Sequence, residues 1–265
     1  MLIKLKHKLF FGIVLVFIVS GCETVPVSGR SQLLIVGNAE VASMAAGEFS
    51  KMKKVTDDPR LEQIRRVGLN IVMAARRDDP RGILPPAQSW EFAIINDQSP
   101  NAFAMPGGKI GFNKGMFAYA SSDDDIAVIL GHEVAHVLSQ HSSERISQAL
   151  LVQVGAVAVD EATKNQSARN RQAWLTGFGL GAQFGVLLPF SRSHESEADY
   201  LGLIFMARAG YNPEAAPLFW QRFAVASSTK PPEFFSTHPA DETRIRNLRS
   251  WMNEAKAQAA PLLKP

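Results

Sequence analysis

The chain has 265 residues, 46% of them hydrophobic and 20% charged, which suits one globular domain of moderate size. Its formal charge of +3 comes wholly from Lys4, Lys6 and Lys8, and from Cys22 onward basic and acidic residues balance. A nucleic-acid partner would need a clustered basic face that this sequence does not offer, and a single cysteine, Cys22, excludes an intramolecular disulfide.

Residues 1–21 read as a signal peptide: lysines first, then an apolar run from Leu9 to Val19, then small residues. That apolar run is short for a transmembrane helix, which needs about 20 residues. Val19-Ser20-Gly21-Cys22 resembles the bacterial lipobox, in which cleavage before the cysteine leaves its thiol for diacylglyceryl attachment. Cys22 is therefore the expected lipidation site, and residues 22–37 are expected to form a lipidated tether. Acyl chains contribute about 0.8 kcal/mol per buried CH₂, so several of them anchor a chain durably. Glu23 stands where an Asp would mark inner-membrane retention. The expected address is the periplasm, on the inner leaflet of the outer membrane of a Gram-negative bacterium.

A single domain is expected over residues 38–258. Asn38 reads as an N-cap, with Val41, Met44, Ala45 and Phe49 at helical spacing after it. A second helix opens at Asp58-Pro59 and runs towards Arg77. Strand character appears from Trp90 to Ile95. Ala102–Met105 and Lys109–Phe112, joined by Pro106-Gly107-Gly108, then predict a hairpin. Either the hairpin only completes a small sheet, or its exposed edge also aligns an extended peptide by backbone pairing.

Ser121-Ser122-Asp123-Asp124-Asp125 offers caps and carboxylates where a helix dipole favours them, with a calcium-binding run as the alternative. The helix that follows is expected to continue to His141, and helical character persists from Glu144 to Val159. Lys164–Gln172 reads as an exposed, mobile loop. Trp174–Phe190 carries no charge and predicts a buried helix, a flap or a membrane contact. Ser191–Asp199 opens a helix that stops at Gly210. Asn212-Pro213 starts another, rich in aromatic residues, and the last helix runs from Ala240 to about Gln258.

The central helix carries His132-Glu133-Val134-Ala135-His136, an H-E-x-x-H pattern. On an ideal helix the two imidazoles lie about 40° apart around the axis, with Glu133 about 60° further round. Zinc hydrolases use three protein ligands and leave a fourth position for water. One class would place Gly and His where Ser139 and Ser142 stand. His141, about 180° round the helix from His132, reads as a surface or second-layer residue. Glu195 is the candidate third ligand, and Glu197 points elsewhere. Asp199, one turn after Glu195, is placed to accept the Nδ1–H of a zinc-bound imidazole.

These residues, with Asn101-Ala102-Phe103-Ala104, Pro106-Gly107-Gly108, Ser191-Arg192, Thr237-His238-Pro239 and Arg244, resemble the gluzincin metallopeptidase family. That family includes the CAAX prenyl protease and the mitochondrial inner-membrane overlapping-activity protease. Its bacterial periplasmic lipoprotein members are the most similar in layout, and the resemblance covers most of residues 25–250. It implies an α+β, predominantly helical, zincin-like metallopeptidase domain with a small sheet beside the zinc-binding helix. It also implies one Zn²⁺ per chain, held by His132, His136 and Glu195, with Glu133 as general base and acid in peptide hydrolysis. For His238 it implies either a donor to the transition-state oxyanion or a fourth zinc ligand in a resting state; a helix-entry role before Pro239 is the structural alternative.

The expected function is a zinc endopeptidase that acts on unfolded or misassembled envelope proteins. Its partners would be polypeptide substrates, the membrane through Cys22, and envelope assembly machinery. The rival readings are a chaperone-like assembly factor with a structural or self-inhibited zinc site, and a hydrolase of non-peptide amides.

Overall fold

The computed structural model describes residues 22–226 and 242–259. Two small sheets and a set of packed helices form a predominantly helical α+β domain. β1 (Cys22–Thr24) and β2 (Ser31–Leu33) pair as an antiparallel hairpin. Helix α1 (Asn38–Lys51) begins at Asn38, with Gly37 rather than Asn38 in the capping position. β3 (Lys54–Val55), β4 (Glu91–Ile95), β5 (Ala102–Met105) and β6 (Lys109–Asn113) make a sheet of order β3-β4-β6-β5. The expected hairpin is β5–β6, with Phe103 opposite Gly111, and β6 runs parallel to β4. β5 is consequently an edge strand, paired on one side only.

Helix α2 (Arg60–Ala75) buries Ile64, Val67 and Ile71 against the sheet. Gly68 makes that approach close, since a methyl group there would meet the Phe92 ring at 2.2 Å. Helix α3 (Asp123–Leu138) is apolar nearly all round and buried from Asp125 onward, as expected of a helix enclosed on every side. Ser122 caps it by accepting from Asp125 N–H at 3.1 Å. The three aspartates at its start each have a protein partner: Asp123 with Arg66, Asp125 with Arg222, and Asp124 with the Asn212 amide. They serve helix start and packing, not a calcium loop.

Four elements depart from the sequence expectation. Helix α3 stops at Leu138, Gln140 adopts a left-handed conformation (φ 53°), and α4 (His141–Ala162) begins afresh at His141. The polar stretch after Lys164 is mostly helix, because Ser167 caps α5 (Ala168–Ala182) by accepting from Asn170 N–H. A π turn (Gln183–Leu187) joins α5 to α6 (Leu188–Arg208), so Ser191 lies inside a helix instead of opening one. Residues 22–37 fold back on the domain: Ile35 and Val36 amides donate to Ser147 Oγ at 2.9 and 3.2 Å.

The uncharged Trp174–Phe190 stretch packs Phe178 against Gly155 of α4, yet leaves Trp174 62% and Phe184 66% exposed. Among the described residues, no helix is long and apolar enough to cross a membrane. Helix α7 (Ala215–Ala226) buries Phe219, Trp220 and Phe223, and α8 (Glu242–Ala259) closes the fold against α6 and α7.

Candidate metal centre

Helices α3 and α6 cross at Gly131 and Gly202, where their backbones touch: a methyl on Gly202 would lie 2.7 Å from the His132 nitrogen. That crossing brings the H-E-x-x-H face of α3 against Glu195 and Asp199 on α6. Among the described residues, His132, His136 and Glu195 form the one group of three such side chains whose ligand atoms converge. The two Nε2 atoms lie 3.0 Å apart, and the Glu195 carboxylate oxygens are 3.3 Å from His132 Nε2 and 3.4 Å from His136 Nε2.

Zinc bound tetrahedrally at about 2.0–2.1 Å separates its ligands by about 3.3 Å, so this triangle fits one face of such a site. The electrostatics agree. Burial and the Arg244 guanidinium disfavour positive charge on His132, yet the Asp199 and Glu195 carboxylates outweigh both and hold its pKa at about 9. The pocket favours a cation among its imidazoles and carboxylate.

Each imidazole is oriented from behind, by a different device. Asp199 Oδ1 lies 3.0 Å from His132 Nδ1, on the side the sequence reading gave it. Arg244 donates to the same oxygen at 2.6 Å and stacks its guanidinium 3.6 Å from the centre of the Trp220 ring. Behind His136 stands His141, with the two Nδ1 atoms 2.7 Å apart. His141 Nε2 then lies 2.8 Å from Glu197 Oε2. Burial pushes the His141 imidazole down to about 4, so it is neutral at pH 7. A neutral ring that donates from Nε2 to Glu197 accepts at Nδ1 from His136, and His136 then presents its Nε2 lone pair to the centre.

His141 is fully buried and belongs to the second layer of the site, not the surface. The sequence reading missed the connection because it assumed one continuous helix; the left-handed Gln140 swings His141 back towards His136. It also missed that Glu197, which does point away from Glu195, points at His141. Glu144 and His194 complete the cluster. His194 stacks on His141 with ring centres 4.2 Å apart, and its Nε2 is 2.9 Å from Glu144 Oε2. Burial raises Glu144, but His194 and Arg30 overcome it and hold the carboxyl at about 2.

Glu133 faces the edge strand β5. Its Oε2 accepts from the Ala104 amide of β5 at 3.1 Å. Ala104 sits on the edge strand opposite Ile110, and its N–H turns away from β6 towards the motif helix. The free edge of the sheet therefore runs directly alongside the carboxylate. His238 lies outside the described residues, as do residues 1–21 with the first three lipobox positions; Cys22 opens β1.

A buried H-E-x-x-H helix, a carboxylate from a crossing helix and a sheet edge beside the Glu133 carboxylate define a metallopeptidase domain of the zincin-like kind. The model of peptidase family M48 matches residues 62–252, and the chain belongs to that family, whose members are metal-dependent peptidases. The mitochondrial metalloendopeptidase OMA1 of Schizosaccharomyces pombe is 33% identical over 245 residues, covering 89% of this chain and 68% of the relative. The beta-barrel assembly-enhancing protease of Yersinia pestis is 32% identical over 173 residues, covering 63% of this chain and 35% of the relative. The protein of that name from Escherichia coli K12 is 28% identical over 236 residues, covering 86% of this chain. The chain spans 46% of that E. coli protein's length.

Proposed function

We propose that the chain is a lipid-anchored zinc endopeptidase of the bacterial envelope, degrading unfolded or misassembled proteins in the periplasm. The observation that carries the reading is the His132–His136–Glu195 triangle with Glu133 held on the amide of an edge strand. In this reading His132, His136 and Glu195 hold one zinc ion, and Asp199 fixes the His132 ring through Nδ1. Bound there, zinc supplies Lewis acidity, polarising a scissile carbonyl and acidifying water.

The remaining work falls to the protein. The edge of β5 pairs with an extended substrate backbone, which selects chains free of their own secondary structure. The Glu133 carboxylate, aimed by the Ala104 N–H, takes a proton from the attacking water and delivers it to the leaving amine. His238 serves as a donor to the developing oxyanion.

The envelope assignment draws on the lipobox-like Val19-Ser20-Gly21-Cys22 and on the bacterial relatives named for β-barrel assembly. It extends the partners to assembly machinery for outer-membrane proteins. The purified chain is expected to cleave an outer-membrane β-barrel protein kept unfolded and to leave the same protein intact once folded in detergent. Equal cleavage of both forms, or of neither, contradicts the quality-control reading.

A further inference from the structure

We propose that Arg30 is a positioning residue for the metal ligand His136, acting through Glu197 and His141. The proposal rests on the reading of His136 as a ligand. Arg30 lies in the β1–β2 hairpin, outside the stretch 62–252 that carries the family match and more than a hundred residues from the motif.

The guanidinium divides its donors between two carboxylates. Nε–H donates to Glu197 Oε2 at 2.9 Å. Nη1 and Nη2 form a fork on Glu144, at 3.0 Å to Oε1 and 2.8 Å to Oε2. Ser28, on the same turn, donates to the other Glu197 oxygen. Glu197 is thus fixed from the hairpin side, and the oxygen that meets Arg30 is the one that meets His141 Nε2 at 2.8 Å. Glu144 meanwhile holds His194, whose ring lies nearly parallel to His141 with 15° between planes. The His141 ring is therefore held at its edge by Glu197 and across its face by His194, and both supports end on Arg30.

This matters for His136 because an imidazole offers its Nε2 lone pair only while Nδ1 carries the hydrogen. That hydrogen needs an acceptor, and His141 Nδ1, 2.7 Å away, is in place. His141 accepts there only while it donates from Nε2, which requires an oriented carboxylate at Glu197. His132 has such a carboxylate directly, in Asp199; His136 has it one ring further out. Partners of metal-bound histidines typically change metal affinity by about 10–100-fold when removed. The segment following Cys22 thereby becomes part of the support of the metal site.

The test measures Co²⁺ affinity of the folded full chain by chelator competition, together with the visible ligand-field spectrum of the bound ion. Arg30→Ala is expected to weaken Co²⁺ binding about tenfold and to shift the spectrum, since the geometry at His136 relaxes. Glu197→Ala should give a loss of the same size, and the double variant no more than either alone, because both act along one path. Arg81→Ala, which frees the hairpin's surface pair with Glu23, should leave affinity unchanged.

An Arg30 that only stabilises the fold would lower the melting temperature of Arg30→Ala with Co²⁺ affinity and spectrum intact, and that result overturns the proposal. Additive losses in the double variant overturn the path. Should Arg30→Ala not fold, Arg30→Lys keeps a positive charge but cannot span both carboxylates, and unchanged affinity in that variant overturns the proposal equally. A wild-type chain that binds no Co²⁺ contradicts the ligand reading itself, and is distinguished from a failure of Arg30's role by that wild-type measurement alone.

Discussion

Glu133→Gln is expected to lower kcat for an unfolded polypeptide by about 10²–10⁴-fold, the usual share of a positioned general acid–base, while zinc content stays at that of the wild type. The amide keeps the size of the side chain and its acceptor for the Ala104 N–H, so the edge strand and the helix should hold their places. It loses the capacity to carry a proton, which the reaction needs twice, once from water and once to the amine. The side chain is buried and offers no ligand atom to the His132–His136–Glu195 triangle, so the metal has no reason to leave. Turnover and metal content measured on one preparation check both halves. Undiminished turnover would remove Glu133 from the chemistry. Full rescue of a deletion strain by Glu133→Gln would instead favour a binding protein that uses its metal as structure.

The second large effect is expected at a residue that performs no chemistry. Gly202→Ala should destabilise the fold by about 1–3 kcal/mol or more, the range for forcing a methylene into a packed interior, and should weaken metal binding as well. The added methyl would lie 2.7 Å from the His132 nitrogen and 2.8 Å from the Gly131 carbonyl carbon, both backbone atoms with no rotamer to change. Relief requires α6 to back away from α3, which draws Glu195 and Asp199 off the imidazoles. Gly177→Ala is the matched control. Nothing lies within 4 Å of a methyl there, so in helix α5 the same substitution should stabilise by about 0.5–1 kcal/mol. Denaturant titration of the two variants reads the difference, and a Gly202→Ala protein as stable as the wild type would show that the helix crossing tolerates separation.

The Gly131–Gly202 crossing also marks the limit of what the sequence discloses. Local signals were legible. Ser122 announced the start of α3, the turn at Gly107-Gly108 announced the β5–β6 hairpin, and helical spacing put Asp199 on the side of Glu195. Each of those inferences needs only the few residues around it. What stayed hidden depends on partners distant in the chain or on a single backbone angle. Arg30 reads only as part of a short tether until the fold sets it between Glu144 and Glu197.

For His141 the sequence left surface and second layer open; an unbroken helix hid its contact with His136, and Gln140 gives no sequence cue for φ 53°, a region usually left to glycine. The first turns of helix α5 were missed because a polar run of Lys164–Gln172 has loop composition, while the capping role of Ser167 is decided by backbone geometry. The uncharged 174–190 stretch misled in the opposite direction. Its composition matches a buried helix, but exposed Trp174 and Phe184 leave it only partly packed.

Metal dependence tests the central claim most directly. The purified chain should contain one zinc ion, lose hydrolysis of an unfolded polypeptide when a chelator strips it, and regain hydrolysis with one equivalent of added zinc. Glu195→Ala, which removes one corner of the triangle, should bind zinc far more weakly and remain inactive at that stoichiometry. Hydrolysis that persists in a chain holding no metal, or a Glu195→Ala chain that retains both zinc and activity, would contradict the account.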